Sequence, residues 1–224
     1  MEIIQRPHRV LLSPRRRTSI LEFSNGKSAE CYMRGAVCWP VPLPHRNNEI
    51  VGFALIAGYD VSSGTITIYE EREFVCIDHV AGKDGMIQFE GLSSFFNLAW
   101  NRYFCSTFFW RQPETMKKKY QRQVRKSLMI KPKPQFTQLY WDQQSQPEQI
   151  LFEKLTLNKL FARKEDNLFK EVQKHEVVAV PSGSHAIVSP EMHALHCLLM
   201  GYDRYSWREP EPEPSAKPEI IYVR

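Results

Sequence analysis

Apolar and polar residues alternate in short runs through the first half of the chain, and turn-forming residues separate these runs. The Asn25-Gly26 dipeptide and residues 60–64 are typical of tight turns, because Gly, Asn and Asp tolerate the backbone angles that such turns need. Parallel strands require longer crossover connections than these. The pattern therefore predicts two early strands and then an antiparallel meander over residues 49–90; the predicted strands are 18–23, 29–39, 49–59, 65–69, 74–80 and 86–90.

An aromatic-rich segment follows the predicted meander. Eight of the sixteen residues from Phe95 to Trp110 are aromatic, and in a helix their apolar side chains would point in every direction around the axis. A helix that is apolar on all sides is buried. We therefore predict a central helix over this segment, capped by Ser93 or Ser94 and packed across the meander.

The next segment is strongly basic, with six cationic residues among residues 117–126. Pro113 suits the first turn of a helix here. In helical projection, five cations share a sector of about 120° and apolar side chains lie opposite them. The cations are Lys118, Lys119, Arg122, Arg125 and Lys126, and the apolar residues are Met116, Tyr120, Val124 and Leu128. The predicted fold is thus α+β: an antiparallel β-meander packed by a central aromatic helix and a basic amphipathic helix.

The C-terminal part is smaller and mixed. Residues 136–141 and 177–180 are predicted strands, residues 143–149 a polar loop, and residues 191–200 a last helix that Gly201 ends. Residues 150–180 fit either a hairpin or a charged helix. The predicted domain organisation is a meander with a two-helix core over residues 1–130, and a part over residues 131–208 that packs on it or belongs to the same domain. Residues 209–224 form a Pro/Glu tether with a strand-like tip from Glu219 to Arg224.

Composition is that of an ordinary globular protein: 224 residues, 42% hydrophobic and 25% charged, with a net charge of +5. The five cysteines are scattered and form no Cys-x-x-Cys pair, so a reducing compartment is expected. The N-terminus lacks the pattern of a secretory signal, and no apolar run reaches the ~18 residues of a membrane span. We therefore expect a cytoplasmic protein without a membrane partner.

The basic face of residues 118–126 carries the strongest functional signal. Like charges repel at i,i+4 spacing, and no acid lies between these cations, so an external anion explains the face well. Nucleic-acid phosphate is the commonest such partner. An acidic protein partner, including the chain's own Glu-Pro tether, and a simply solvated face remain open. A membrane surface is disfavoured, because the opposite apolar stripe is needed for the core.

Carboxylates along the meander suggest an alternative function. Asp60, Glu70, Asp78 and Glu90 occur on or beside predicted strands. Metal-dependent nucleases of the RNase H or restriction type place acids on adjacent strands, where two ions bridge the scissile phosphate. Asp60 and Asp78 are the best candidates, although aspartate is also a preferred turn residue.

A zinc site would need four residues from distant segments, namely Cys76, His79, His193 and His196. Structural zinc usually comes from two tight knuckles, and buried cysteines and hydrogen-bonded histidines are commoner. We therefore predict no metal and no cofactor. Common nucleotide-binding and hydrolase motifs are also missing from the sequence.

The function predicted from the sequence is a non-enzymatic nucleic-acid-binding or complex-forming accessory protein that uses the basic helix for phosphate contacts. The first alternative is a divalent-metal nuclease with its acids on the meander. The second is a structural interaction module that binds a protein partner by adding Glu219 to Arg224 to the edge of the partner's sheet.

Overall fold

The computed structural model describes residues 5–13, 18–38, 50–76, 90–111, 134–139, 147–163, 165–174 and 189–205. These residues confirm a mixed α+β fold, in which one eight-stranded sheet is covered by four helices. The strands are β1 (Arg9–Ser13), β2 (Thr18–Glu22), β3 (Ser28–Cys38), β4 (Ile50–Asp60), β5 (Ile66–Cys76), β6 (Thr107–Arg111), β7 (Gln135–Gln138) and β8 (Leu160–Phe161). The helices are α1 (Glu90–Tyr103), α2 (Pro147–Thr156), α3 (Asn167–Lys174) and α4 (Pro190–Tyr205).

The antiparallel meander is present, and it runs from β1 to β5. The tight turns lie where the sequence predicts them. Gly26 adopts a φ of 79° between β2 and β3, and its amide donates to the Phe23 carbonyl at 3.0 Å. The turn between β4 and β5 begins at Asp60, whose carbonyl accepts the Gly64 amide at 2.9 Å.

One long strand, β5, replaces the two strands predicted over residues 65–69 and 74–80. The charged residues between them do not interrupt the ladder. Ile56 pairs with Glu70 while Ala57 pairs with Ile68, so Tyr69 is the extra residue of a β-bulge. The bulge shifts the side-chain alternation of β5 by one position, which matters for the acids that follow it.

The aromatic segment is the main correction to the predicted elements. Its helix, α1, ends at Tyr103 instead of continuing to Trp110, because Phe104 takes a left-handed φ of 53°. The amides of Phe104 and Cys105 donate back to helix carbonyls at 2.9 and 3.0 Å. The remaining aromatic residues form β6. Its Phe108 and Phe109 are buried in the cores on opposite faces of the sheet, so this strand is apolar on both sides.

The sheet also contains parallel strand pairs, although the short connections along the sequence indicate only antiparallel pairing. One edge of β3 pairs with β4, and its other edge pairs with β2 in its first half and with β6, in parallel, in its second half. Strand β7 is parallel to β6, and the short β8 is parallel to β5. Strands from both halves of the sequence therefore join one sheet.

The sheet separates two hydrophobic cores, one on each face. Helix α1 covers one face, which we call the α1 face, and buries Phe95, Phe96 and Tyr103 there. Helix α4, together with residues of α2 and α3, covers the other face, which we call the α4 face. In α4, the Ser189 hydroxyl accepts the Met192 amide at 3.3 Å and so caps the helix as predicted.

Gly201 does not end the last helix, contrary to the sequence prediction, but lies inside α4. A Cβ atom at Gly201 would lie 2.2 Å from the Phe109 ring, so glycine allows the helix to approach β6 closely.

Residues 147–174 contain α2, β8 and α3, so the polar loop predicted up to residue 149 ends earlier, at the start of α2. The predicted basic helix, the predicted strand 177–180 and the tether 209–224 lie outside the described residues. So does the predicted strand 86–90 except for Glu90, which begins α1 instead of ending a strand. Among the described helices, none has the length and apolarity needed to cross a membrane.

Candidate nucleic-acid interface and buried carboxylates

The five predicted phosphate-binding cations, Lys118, Lys119, Arg122, Arg125 and Lys126, lie outside the described residues. The two strands that flank them are described. Strand β6 ends at Arg111, and the first residue of β7, Gln135, pairs with Thr107 at the start of β6. Residues 112–133 therefore connect the carboxyl end of one strand to the amino end of its parallel neighbour.

Glu70 is the centre of a buried polar cluster on the α1 face. This side of β5 reaches α1 because the bulge at Tyr69 shifts the alternation. Its Oε1 accepts the hydroxyl of Tyr103 at 2.7 Å, and its Oε2 accepts Nη2 of Arg6 at 2.9 Å. Nη1 of Arg102 lies 3.7 Å from Oε1. We call Glu70, Tyr103, Arg6 and Arg102 the Glu70 cluster.

The Glu70 cluster joins three segments that are distant in sequence: the N-terminal segment, β5 and the end of α1. Burial, followed by the hydrogen bond and the negative charge of Glu70, raises the pKa of Tyr103, so its hydroxyl is a donor at neutral pH. One carboxyl group faces two guanidinium groups, and the side chains of Arg6 and Arg102 are 42% and 38% exposed. The cluster therefore presents an excess of positive charge at the surface.

Glu71 points to the opposite face and caps α3. Its two carboxylate oxygens accept the amides of Asn167 at 2.7 Å and Leu168 at 3.1 Å. Burial and the nearby Asp166 raise the pKa of Glu71, although the two helix amides act in the other direction. Asp166 is itself paired with Arg163 at 2.9 Å. Glu71 thus accepts hydrogen bonds from amides at the N-terminus of α3, which is a structural role.

Asp60, one of the two predicted catalytic acids, organises the turn after β4. Its Oδ1 accepts the Ser62 amide at 2.8 Å, the Ser62 hydroxyl at 2.7 Å and the Ser63 amide at 3.3 Å. Burial acts to raise the pKa of Asp60, but these hydrogen bonds outweigh it and the pKa is lowered. The three hydrogen bonds to the Asp60 carboxylate thus stabilise an Asx-type turn.

The other predicted acids do not join Asp60 within the described residues. Asp78 lies outside them, and Glu90 begins α1 with its side chain outside them. Glu70 and Glu71 are consecutive residues of β5 and therefore point to different faces of the sheet. No group of three or more His, Cys, Asp or Glu residues in the described part of the chain could hold a metal ion.

Two of the three histidines of the zinc hypothesis, His193 and His196, lie on α4. His196 is buried, and its Nε2 lies 3.4 Å from Oε1 of Glu148 on α2. His79 and the side chain of Cys76 lie outside the described residues, so a meeting of the four predicted ligands stays untested. Four described cysteines are buried. Burial raises the pKa of Cys31 and of Cys105 to about 12, which makes both thiols poor nucleophiles.

The sequence does not identify the exposed apolar side chains at the end of α2. Phe152, Leu155 and Leu157 are 56%, 39% and 55% exposed. Residues 150–180 fit either a hairpin or a charged helix, so the sequence assigns no face to them. The spacing of three residues places Phe152 near Leu155 on the helix surface, whereas Leu157 faces another side.

Comparisons with known proteins give structural likeness of limited extent. No protein-family model matches the chain, and no curated protein matches it. A solved structure, the large terminase nuclease from thermophilic phage G20c with bound zinc, has a TM-score of 0.42 and 9% identity, and the match covers 91% of this chain and 94% of that chain. A likeness of this extent carries no conclusion about activity.

Proposed function

We propose that the protein is a non-enzymatic accessory protein that binds nucleic acid through phosphate contacts made by Lys118, Lys119, Arg122, Arg125 and Lys126. The observation that supports this most is the topology around these residues. They belong to the connection between β6 and β7, which are adjacent and parallel.

The handedness of such connections assigns the basic segment to one face. Connections between parallel strands of one sheet are right-handed in about 98% of cases. Helix α1 lies in the connection from β5 to β6, and the following connection continues across the sheet in the same direction, from β6 to β7. Two right-handed connections that run in the same direction cross the same face. This rule supports a path for residues 112–133 across the α1 face, which would bring the proposed basic surface to the side of the Glu70 cluster.

The apolar residues of this face suit the inner stripe of a basic amphipathic helix. Phe136 of β7 is only partly buried against the α1-face core, where its ring centroid lies 6.0 Å from that of Trp110. A stripe formed by Met116, Tyr120, Val124 and Leu128 can pack beside Phe136 and leave the cations directed outward. The exposed parts of Arg6 and Arg102 would extend the same positive surface.

Two of the predicted catalytic acids, Asp60 and Glu70, support an accessory role more than a catalytic one, since each has a structural partner. Asp60 holds a turn, Glu70 binds Tyr103 and Arg6, and Glu71 caps α3. A cleavage assay with Mg²⁺ or Mn²⁺ on DNA and RNA tests the nuclease alternative. Cleavage that disappears in Asp60→Ala would contradict the proposed role.

The deciding experiment compares two charge-reversed variants. Lys118→Glu with Arg122→Glu alters the proposed surface, whereas Lys154→Glu with Lys170→Glu makes the same charge change on α2 and α3, at the α4 face. The slope of log Kobs against log salt is negative, and each phosphate contact that is lost reduces its magnitude by about one. We expect the first variant to bind an oligonucleotide more weakly, with a slope whose magnitude is smaller by about two. The second variant should retain the wild-type slope. Equal losses in both variants would reject the assignment to this surface.

A further inference from the structure

The two faces of strand β5 differ in charge. Glu70 and Phe74 point to the α1 face, since Glu70 binds Tyr103 and Phe74 belongs to the core on that side. Side chains alternate along a strand, so Arg72, which lies between them, points to the α1 face as well. Ala54 of β4 pairs with Arg72 and is buried in the same core, which agrees with this orientation. The α1 face of β5 therefore presents an exposed arginine beside a buried carboxylate.

Three arginines thus surround the carboxylate of Glu70. Arg6 and Arg102 approach its oxygens at 2.9 and 3.7 Å. Arg72 is two residues farther along β5, a separation of about 7 Å between Cα atoms. We call Arg6, Arg72 and Arg102 the three-arginine surface. A guanidinium group is always protonated in proteins, so three positive charges face one negative charge at this site.

Most donors of the three-arginine surface remain available to an external acceptor. Arg102 is too far from Glu70 for a hydrogen bond at 3.7 Å, so their interaction is only electrostatic. Arg6 donates to Glu70 through Nη2 alone, and among the described residues Arg72 has no acidic partner. Each guanidinium group carries five N–H donors. The surface therefore has an excess of donors as well as of charge.

Aromatic contacts fix the position of Arg102. Its guanidinium lies 5.7 Å from the centroid of the Tyr103 ring, and the Tyr103 ring stacks on Tyr69 with centroids 5.8 Å apart. The hydroxyl of Tyr103 is held in turn by Glu70. A preorganised site of this kind loses little conformational freedom when a ligand binds. The planar guanidinium group also matches the oxygens of a phosphate, to which it can donate two parallel hydrogen bonds.

We propose that the three-arginine surface binds backbone phosphates of a nucleic acid. This inference rests on the proposed function and adds a set of phosphate contacts outside residues 112–133. A nucleic-acid backbone carries one negative charge per nucleotide, so one strand can neutralise several separate guanidinium groups. Glu70 is a positioning residue in this arrangement, because it holds Arg6 and Tyr103 in place without contacting the ligand.

The salt dependence of oligonucleotide binding to the full-length protein, followed by fluorescence anisotropy, tests this proposal. Arg72→Gln with Arg102→Gln removes two cations and keeps the hydrogen bonds of Glu70 to Arg6 and Tyr103. We expect the slope of log Kobs against log salt to lose about two in magnitude. Between 50 mM and 200 mM salt, the affinity of this variant should then fall about tenfold less than that of the wild type.

A matched control removes two cations from the other face of the sheet. Val10 packs against the α1-face core, so Arg9 before it points to the opposite face, and Lys170 is exposed on α3. Arg9→Gln with Lys170→Gln should retain the wild-type slope. Arg72→Gln alone breaks no ion pair among the described residues, so it separates binding from folding. It should reduce the magnitude of the slope by about one.

A wild-type slope in Arg72→Gln with Arg102→Gln, or an equal reduction in the control, would overturn the proposal. If Lys118→Glu with Arg122→Glu still reduces the slope in that case, the proposed function stands without the three-arginine surface. The reverse result, a reduction in the arginine variant only, supports the three-arginine surface and rejects the role of residues 118–126. A wild-type protein that binds no oligonucleotide at low salt would contradict both.

Discussion

The two faces of the sheet are stabilised in different ways. On the α1 face, side chains from three distant segments converge on the carboxylate of Glu70. On the α4 face, an apolar helix packs closely on the strands, and the hydroxyl of Tyr202 donates to backbone carbonyls of Tyr32 and Ala57, each at 2.9 Å. The α1 face thus combines an aromatic core with a cluster in which two partly exposed arginines surround one carboxylate, whereas the α4 face depends on close contact. If nucleic acid binds as proposed, this difference predicts that the α1 face, and not the α4 face, binds it.

Removal of the central carboxylate should have the largest effect on folding. Glu70→Ala leaves the buried hydroxyl of Tyr103 without its acceptor and leaves Arg6 without its partner. We expect a loss of about 3 kcal/mol in the free energy of unfolding, measured by chemical denaturation. Glu22→Ala is the control, because Glu22 pairs with Arg9 at 3.7 Å in an exposed position and should cost less than about 1 kcal/mol. Similar losses in both variants would mean that the Glu70 cluster does not hold the α1 face together.

A substitution at Gly201 tests close packing on the α4 face. Gly201→Ala should destabilise the protein by about 2 kcal/mol, because overpacking against Phe109 costs up to about 3 kcal/mol and the higher helix propensity of alanine offsets about 1 kcal/mol. Gly26→Ala is a useful comparison, since a Cβ there meets no atom within 4 Å and only the φ of 79° is unfavourable. A stabilised Gly201→Ala protein would show that α4 does not approach β6 as closely as described.

The turn at Asp60 should give the smallest effect and a defined pH dependence. Asp60→Ala should cost about 1 kcal/mol at neutral pH, because three hydrogen bonds in an exposed turn are lost. The pKa of Asp60 is lower in the folded protein than its ordinary value of 3.8, so its charge stabilises the fold above that pH. This contribution is lost as the pH falls through the folded-state pKa. The stability difference between wild type and Asp60→Asn should therefore shrink below about pH 3.8, and a difference that grows with acidity would contradict the role of the turn.

The meander was predictable because its strands alternate and its turns contain recognisable residues such as Asn25 and Gly26. Strand β6 was not, because a buried strand that is apolar on both sides has the same pattern as a buried helix. The end of α1 depends on Phe104 in a left-handed conformation, for which a phenylalanine gives no sequence signal. A helix predicted up to Trp110 leaves no strand β6, so the parallel pairing of β3 with β6 could not be predicted either.

The candidate surfaces were only partly predictable, for a related reason. The basic residues are close in sequence and can be found by their spacing alone. The partners of Glu70 are 33 and 64 residues away, so only the folded chain brings them together. The bulge at Tyr69, which determines that Glu70 and not Glu71 faces α1, has no recognisable motif either.

A hydrogen-exchange footprint of the full-length protein with a bound oligonucleotide at low salt shows whether nucleic acid binds on the α1 face. We expect slower exchange in residues 112–133 and at the end of α1, with no change in α2 or α4. High salt should remove this protection, because phosphate contacts are screened and counterions compete for them. Protection confined to α2 and α4, or none at saturating oligonucleotide, would rule out binding on the α1 face.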